Sequence, residues 1–163
     1  MNKAKKILSL LALALFMPMP AWAQEARPDL SGTWNLDLAK SNFGPTPPPE
    51  SIVQVIVHKE PSLKVSSTIK NPTGTISNER NLTTDGKENA YTLNNPAGAQ
   101  AVKSTSTWSG QKLMTTMKVE TQGVTIDIND AWDVSADGKV LTMTREIKTP
   151  QGDFTQKAVY NKQ

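Results

Sequence analysis

The segment from Gly110 to Ile147 constrains this chain more than any other, because its turn residues set the phase of three consecutive β-strands. A two-residue loop at Asp137-Gly138 is a hairpin signal. It predicts Val134 opposite Leu141, Trp132 opposite Met143, Asp130 opposite Arg145 and Ile128 opposite Ile147. A second loop at Gln122-Gly123 predicts Val119 opposite Ile126, Met117 opposite Ile128, Thr115 opposite Asp130 and Leu113 opposite Trp132. One face is then apolar except for a row formed by Thr115, Asp130 and Arg145. On the other face the same phases set Lys118 and Lys148 beside Asp127, and Lys112 beside Asp133, which are favourable cross-strand charge pairs. Both faces make sense in a single register.

Turn formers divide the rest of the chain in the same manner: Glu60-Pro61-Ser62, Asn71-Pro72-Thr73-Gly74, Asp85-Gly86, Asn95-Pro96-Ala97-Gly98 and Pro150-Gln151-Gly152. Between them lie strand-like runs at roughly 30–37, 52–58, 63–70, 75–83, 88–93, 101–109, 112–121, 124–135, 140–148 and 154–161. Residues 37–43 suit a single helical turn. The stretch Gly44-Pro45-Thr46-Pro47-Pro48-Pro49 must be extended, since proline fixes φ and has no N–H to donate. About ten short strands joined in order predict an all-β antiparallel up-and-down meander, and closure into a barrel would remove its exposed edges. A two-sheet sandwich is the alternative.

The N-terminal 23 residues have the form of a secretory signal. Lys3, Lys5 and Lys6 precede an apolar run from Ile7 to Phe16, and Ala21-Trp22-Ala23 offers a small-x-small cleavage site that would leave Gln24 first. The apolar run is far short of the roughly 20 residues a spanning helix needs. The short basic start and the junction have the bacterial form, so the expected destination is the periplasm or the medium. The formal charge of +3 includes the three signal lysines, and without them 15 basic residues face 15 acidic ones. That balance gives no case for nucleic acid or an anionic membrane surface. Residues 24–163 suit one domain with a sizeable core. Cys is absent, which excludes disulfides, thiolate metal sites and a lipid-modified Cys. Asn81-Leu82-Thr83 fits a glycosylation acceptor, of little weight in a bacterial envelope.

At the first strand, Ser31-Gly32-Thr33-Trp34 resembles the G-x-W signature of lipocalin-like (calycin-type) barrels, in which the Trp closes one end. The opening from Gly32 to Phe43 and the run Thr83-Thr84-Asp85-Gly86-Lys87 also resemble a group of secreted bacterial lipocalin-like proteins, largely uncharacterised. The resemblance spans residues 24–163 and implies a barrel with one helical turn after the first strand. It also implies a late-strand Arg packed on the motif Trp, for which Arg145 is the closest match to Trp34.

Candidate site residues follow from the faces. A buried Asp130–Arg145 pair with Thr115 as third partner would satisfy itself, so Asp130 and Arg145, like Trp34, are expected to be structural. A loop at Asp85-Gly86 would set Arg80 opposite Tyr91, Leu82 opposite Asn89 and Asn78 opposite Leu93. If that face points inward, Arg80 and Tyr91 could hold a carboxylate head group; near a rim they would merely be solvated. Ser104, Ser106 and Thr115 place small hydroxyls where a packed core would want larger groups, which implies either space for a ligand or filling by Trp108, Trp132 and Phe154. His58 is the only histidine and cannot make a zinc site. No Ser sits in a G-x-S-x-G elbow and no Gly-rich phosphate loop occurs. No catalytic residue, metal or cofactor is therefore assigned.

Three classes of function remain. The first is an exported binding protein holding a small apolar or amphipathic, even anionic, molecule in its barrel, with no nucleic acid and no membrane span in the mature form. The second is a solid-cored envelope module that binds another protein through the 44–50 loop or a sheet face. The third is a small-molecule enzyme of lipocalin-like fold using Asp130 or His58.

Overall fold

The computed structural model describes residues 27–95, 98–121 and 123–163. The expected signal segment and cleavage site, residues 96–97 and Gln122 lie outside them. Ten antiparallel strands follow in chain order: β1 (Gly32–Leu36), β2 (Ser51–Lys59), β3 (Ser62–Asn71), β4 (Gly74–Thr83), β5 (Asp85–Asn95), β6 (Gly98–Ser109), β7 (Lys112–Thr121), β8 (Val124–Val134), β9 (Val140–Thr149) and β10 (Gly152–Lys162). A single 3-10 turn, Leu38–Lys40, follows β1, capped by the Asp37 carboxylate, which accepts the Lys40 N–H. The sheet order β4-β3-β2-β1-β10-β9-β8-β7-β6-β5 curls the meander into a barrel in which the first and last strands are neighbours.

The β7–β8–β9 registers are those the turns predict, from Leu113 opposite Trp132 to Ile128 opposite Ile147. The outer charges pair as well, Lys112–Asp133 at 3.0 Å and Lys118–Asp127 at 3.9 Å. The loop at Asp137-Gly138 is longer than a two-residue turn. The Gly138 N–H bonds the Ser135 carbonyl, Gly138 sits at φ +70°, and the Ser135 hydroxyl and Asp137 carboxylate accept the N–H groups of Val140 and Lys139. Side-chain acceptors thus replace one backbone rung without shifting the phase.

One end of the barrel is solid. Leu30, Trp34, Leu63, Leu113, Trp132 and Leu141 are each at most 1% exposed, and replacing a buried Trp by Ala in such a core costs about 3–5 kcal/mol. The Trp34 indole N–H donates to the Leu30 carbonyl at 2.9 Å. The cation on the Trp34 ring is Lys162, with Nζ 5.2 Å from the ring centroid, and not Arg145, whose guanidinium is turned to Asp130. Gly32 accounts for the G of G-x-W by its backbone, since φ +138° is a conformation that a residue with a Cβ rarely adopts. The rim of this end is tied by Glu60, whose carboxylate takes bonds from Trp108 Nε1 (2.6 Å), Arg27 (3.1 Å), His58 Nε2 (3.1 Å) and the Thr84 hydroxyl.

The Asp85-Gly86 hairpin does not form. β4 and β5 are consecutive in sequence yet form the two ends of the sheet order, and β5 is bulged near Gly86 where it meets β6. Arg80 therefore lies across from Val65 of β3, and Tyr91 across from Val102 of β6. Side chains hold the seam instead. The Asn78 carboxamide accepts the Asn94 N–H at 2.6 Å and donates to the Asn94 carbonyl at 3.1 Å, and Asn94 Nδ2 donates to the Ser77 carbonyl at 3.3 Å. One side-chain amide thereby stands in for a backbone rung.

Candidate functional site

The other half of the barrel encloses a cavity of about 610 Å³, a size that suits a small organic ligand. Strand alternation sends one residue in two inward. On β2, β3 and β4 the row Gln54, Ser67, Asn78 runs straight across three strands, with Arg80 one inward position further along β4. On β7 to β10 the lining is mixed, with Val119, Ile126, Ile128, Met143, Ile147 and Phe154 beside Arg145, Thr149, Gln156 and Tyr160. Asn95, Thr149 and Thr46 line the cavity at the end away from Trp34. The 44–49 loop is tied down there, since Gln156 Nε2 donates to the Phe43 carbonyl (3.2 Å) and the Thr46 hydroxyl (3.0 Å).

Two guanidiniums face this space, and their partners differ. Arg145 grips Asp130 in a two-pronged pair, Nε and NH2 each 2.7 Å from a carboxylate oxygen, with Asp130 wholly buried. Burial would lower the Arg145 pKa, but the attraction and hydrogen bonds of Asp130 outweigh it and hold the group above the ordinary arginine range. Arg80 is 7% exposed, forms no ion pair or hydrogen bond with another described residue, and lies over the Trp132 ring at 5.6 Å. Burial pulls its pKa below the ordinary range; Tyr91 and Asp130 oppose this, and the like charge of Arg145 adds to it. Asp130 is hydrogen-bonded to Arg145, and Arg80 feels its charge at a distance but forms no ion pair with another described residue. Tyr160 completes the floor; burial raises its pKa, against the pull of Arg145 and a hydrogen bond from Gln54.

Of the expected ligand contacts, Arg80 lines the cavity while Tyr91, Ser104, Ser106 and Thr115 lie outside its lining. The Tyr91 hydroxyl is buried without a hydrogen-bond partner among the described residues, so it does not bond Arg80. Ser104, Ser106 and Thr115 are at most 2% exposed, and Ser106 bonds Thr115 at 2.9 Å. Thr115 thus satisfies its hydroxyl on β6 although it sits opposite Asp130 in register. Arg145 does face the cavity in addition to its structural pairing. Gln54 and Ser67 are contributions that strand assignment alone did not single out. Their signal was parity, since Gln54 shares the phase of Ile52 and Ile56, and Ser67 that of Leu63 and Val65. Among the described residues no three His, Cys, Asp or Glu side chains converge as a metal site, and no helix is long and apolar enough to cross a membrane.

No family model and no curated protein sequence matches the chain. Among solved structures, the crystal structure of zebrafish ileal bile acid-binding protein complexed with cholic acid superposes with a TM-score of 0.52 at 17% identity, covering 82% of this chain and 98% of that one. Together with the ten-strand meander, this match shows that the chain has the fold of the lipocalin-like, calycin-type β-barrels.

Proposed function

We propose that the protein is an exported carrier that holds a small anionic amphiphile inside the barrel, with the head group on Arg80 and the apolar body against β7 to β10. The observation that carries this reading is the charge count of the cavity: Arg145 is matched by Asp130, and Arg80 is buried beside open space with no anion. An unpaired buried cation is costly, and a bound carboxylate would offset that cost. The zebrafish protein with cholic acid is a barrel of the same fold occupied by a small acid, which supports the reading by analogy. The secretory form of residues 1–23 supports export.

The test uses protein recovered from the envelope of its own host, where the first residue should be Gln24. It is titrated with a fluorescent fatty acid and with the uncharged alcohol analogue. The acid should bind more tightly, and Arg80→Ala should weaken it by more than about 1.5 kcal/mol, the low end for a charged hydrogen bond, without lowering the melting temperature. Equal affinity for acid and alcohol, or no saturable binding, refutes the carrier. A mature form still carrying residues 8–16 refutes export.

A further inference from the structure

We infer that the cavity selects a singly charged head group, a carboxylate or a sulfonate, over a dianion such as a phosphate monoester, and that Asp130 sets this selectivity; the inference rests on the carrier reading above and narrows it. The reason is the charge that the site presents. Among the described residues that line the cavity, Arg80 and Arg145 are the only charged ones and Tyr160 is the only other titratable one. Asp130, wholly buried and outside the lining, grips Arg145 from behind with two hydrogen bonds of 2.7 Å. The three charges act on one another, since Arg80 is repelled by Arg145 and attracted by Asp130. They therefore count as one cluster, two guanidiniums and one carboxylate, with a single net positive charge. The phenols of Tyr91 and Tyr160 also face the arginines, and burial keeps Tyr160 neutral by raising its pKa.

A site shielded from water tolerates a charge that its own groups balance and disfavours any excess. One bound carboxylate or sulfonate brings the cluster to zero. A phosphate dianion would leave an uncompensated negative charge beside Arg80, which is only 7% exposed. Shape cannot make this distinction, because an alkyl phosphate and an alkyl sulfonate both present three oxygens on a tetrahedral centre. They differ in a proton: the phosphate carries one charge below its second pKa of about 6 and two above it, whereas the sulfonate carries one throughout. If only the phosphate monoanion is accepted, its affinity falls by up to about tenfold per pH unit above about pH 6.

Calorimetric titration with decanesulfonate and decyl phosphate, which share one chain, reads this at about pH 5.5 and about pH 8, either side of that second pKa. Decanesulfonate affinity should agree within about threefold at the two pH values, and decyl phosphate should bind at least about tenfold more weakly at the higher one. Asp130→Asn keeps the side-chain shape and adds a net positive charge, so the phosphate loss should shrink to within about threefold. Asp130→Asn/Arg145→Met returns the net charge to that of the native protein and should restore the loss. A purely structural role for Asp130 would not move this pH profile. Circular dichroism reports whether each variant folds, and the native comparison decides if Asp130→Asn does not. Phosphate affinity equal at the two pH values, a loss that folded Asp130→Asn leaves intact, or a double variant that behaves like the single one overturns the inference while the carrier stands. Absence of saturable binding of either compound overturns the carrier and this inference together.

Discussion

Asp130→Ala is the sharpest test of how the interior is held. The wild-type carboxylate is fully buried and accepts two charged hydrogen bonds at 2.7 Å from Arg145. Removing it strands a guanidinium beside a second one, Arg80, and breaking a buried pair from one side costs about 3–5 kcal/mol. The Arg145 side chain retains 26% exposure toward the cavity, so water can hydrate part of the stranded charge. That places the loss near the low end, about 3 kcal/mol. For a domain of this size 1 kcal/mol corresponds to roughly 3–4 °C, so Tm should fall by about 10 °C. Urea denaturation followed by tryptophan fluorescence and far-UV circular dichroism measures it, with an unchanged m-value showing that the native state keeps its compactness. The double variant Asp130→Ala/Arg145→Met should recover most of the loss, because the guanidinium stranded by the single change is gone as well. A single-variant loss below about 1 kcal/mol would equate this pair with a solvated surface ion pair and refute the reasoning.

Two further outcomes test the rim and the seam. Burial pushes the Glu60 pKa up, but the bonds from Thr84, Trp108 and His58 and the charge of Arg27 pull it further down, below the ordinary glutamate range. A depressed carboxylate stabilises the fold above its unfolded pKa, about 4.3, and that contribution is lost as pH falls through the folded value. The Tm gap between wild type and Glu60→Gln should therefore be widest near neutrality and close on acidification below about pH 4.3; a gap that widens in acid would refute the assignment. Asn78→Ala removes both bonds to Asn94, which should cost about 1–3 kcal/mol and speed hydrogen exchange at the Asn94 amide. Unchanged protection there would mean the side-chain clip does not hold the seam.

The β7–β9 core was legible because short turns and strict alternation fix phase locally: Asp130 met Arg145 and Trp132 met Met143 as the turns dictated. The same logic misled at Asp85-Gly86. A dipeptide reports local backbone preference, whereas the separation of β4 from β5 is set by how ten strands share one circumference. Closure through Asn78 and Asn94 is a contact of two side-chain and backbone groups that no local pattern encodes. Parity also told which side Arg80, Arg145, Ser104 and Ser106 face, but not their height along the barrel axis. Height decides which of them meets the cavity and which is packed against a tryptophan. Gln54 and Ser67 were visible as polar residues in an apolar phase, and only the neighbouring registers turned them into one row.

The adjacency of β1 and β10 has a kinetic meaning. Trp34 lies opposite Lys162, and the Gln163 N–H bonds the Thr33 carbonyl, so the rung that closes the ring joins residues near opposite ends of the sequence. Hairpins from β2 onward can pair as soon as each is made, but β1 has no second neighbour until the last strand arrives, and closing so long a loop is a slow step. Until then β1 to β4 and β5 to β9 are two hydrogen-bonded sheets that meet only at the side-chain seam, and the tryptophan at the first strand stays unseated. Such a chain leaves β1 with a bare edge until β10 is available to pair with it.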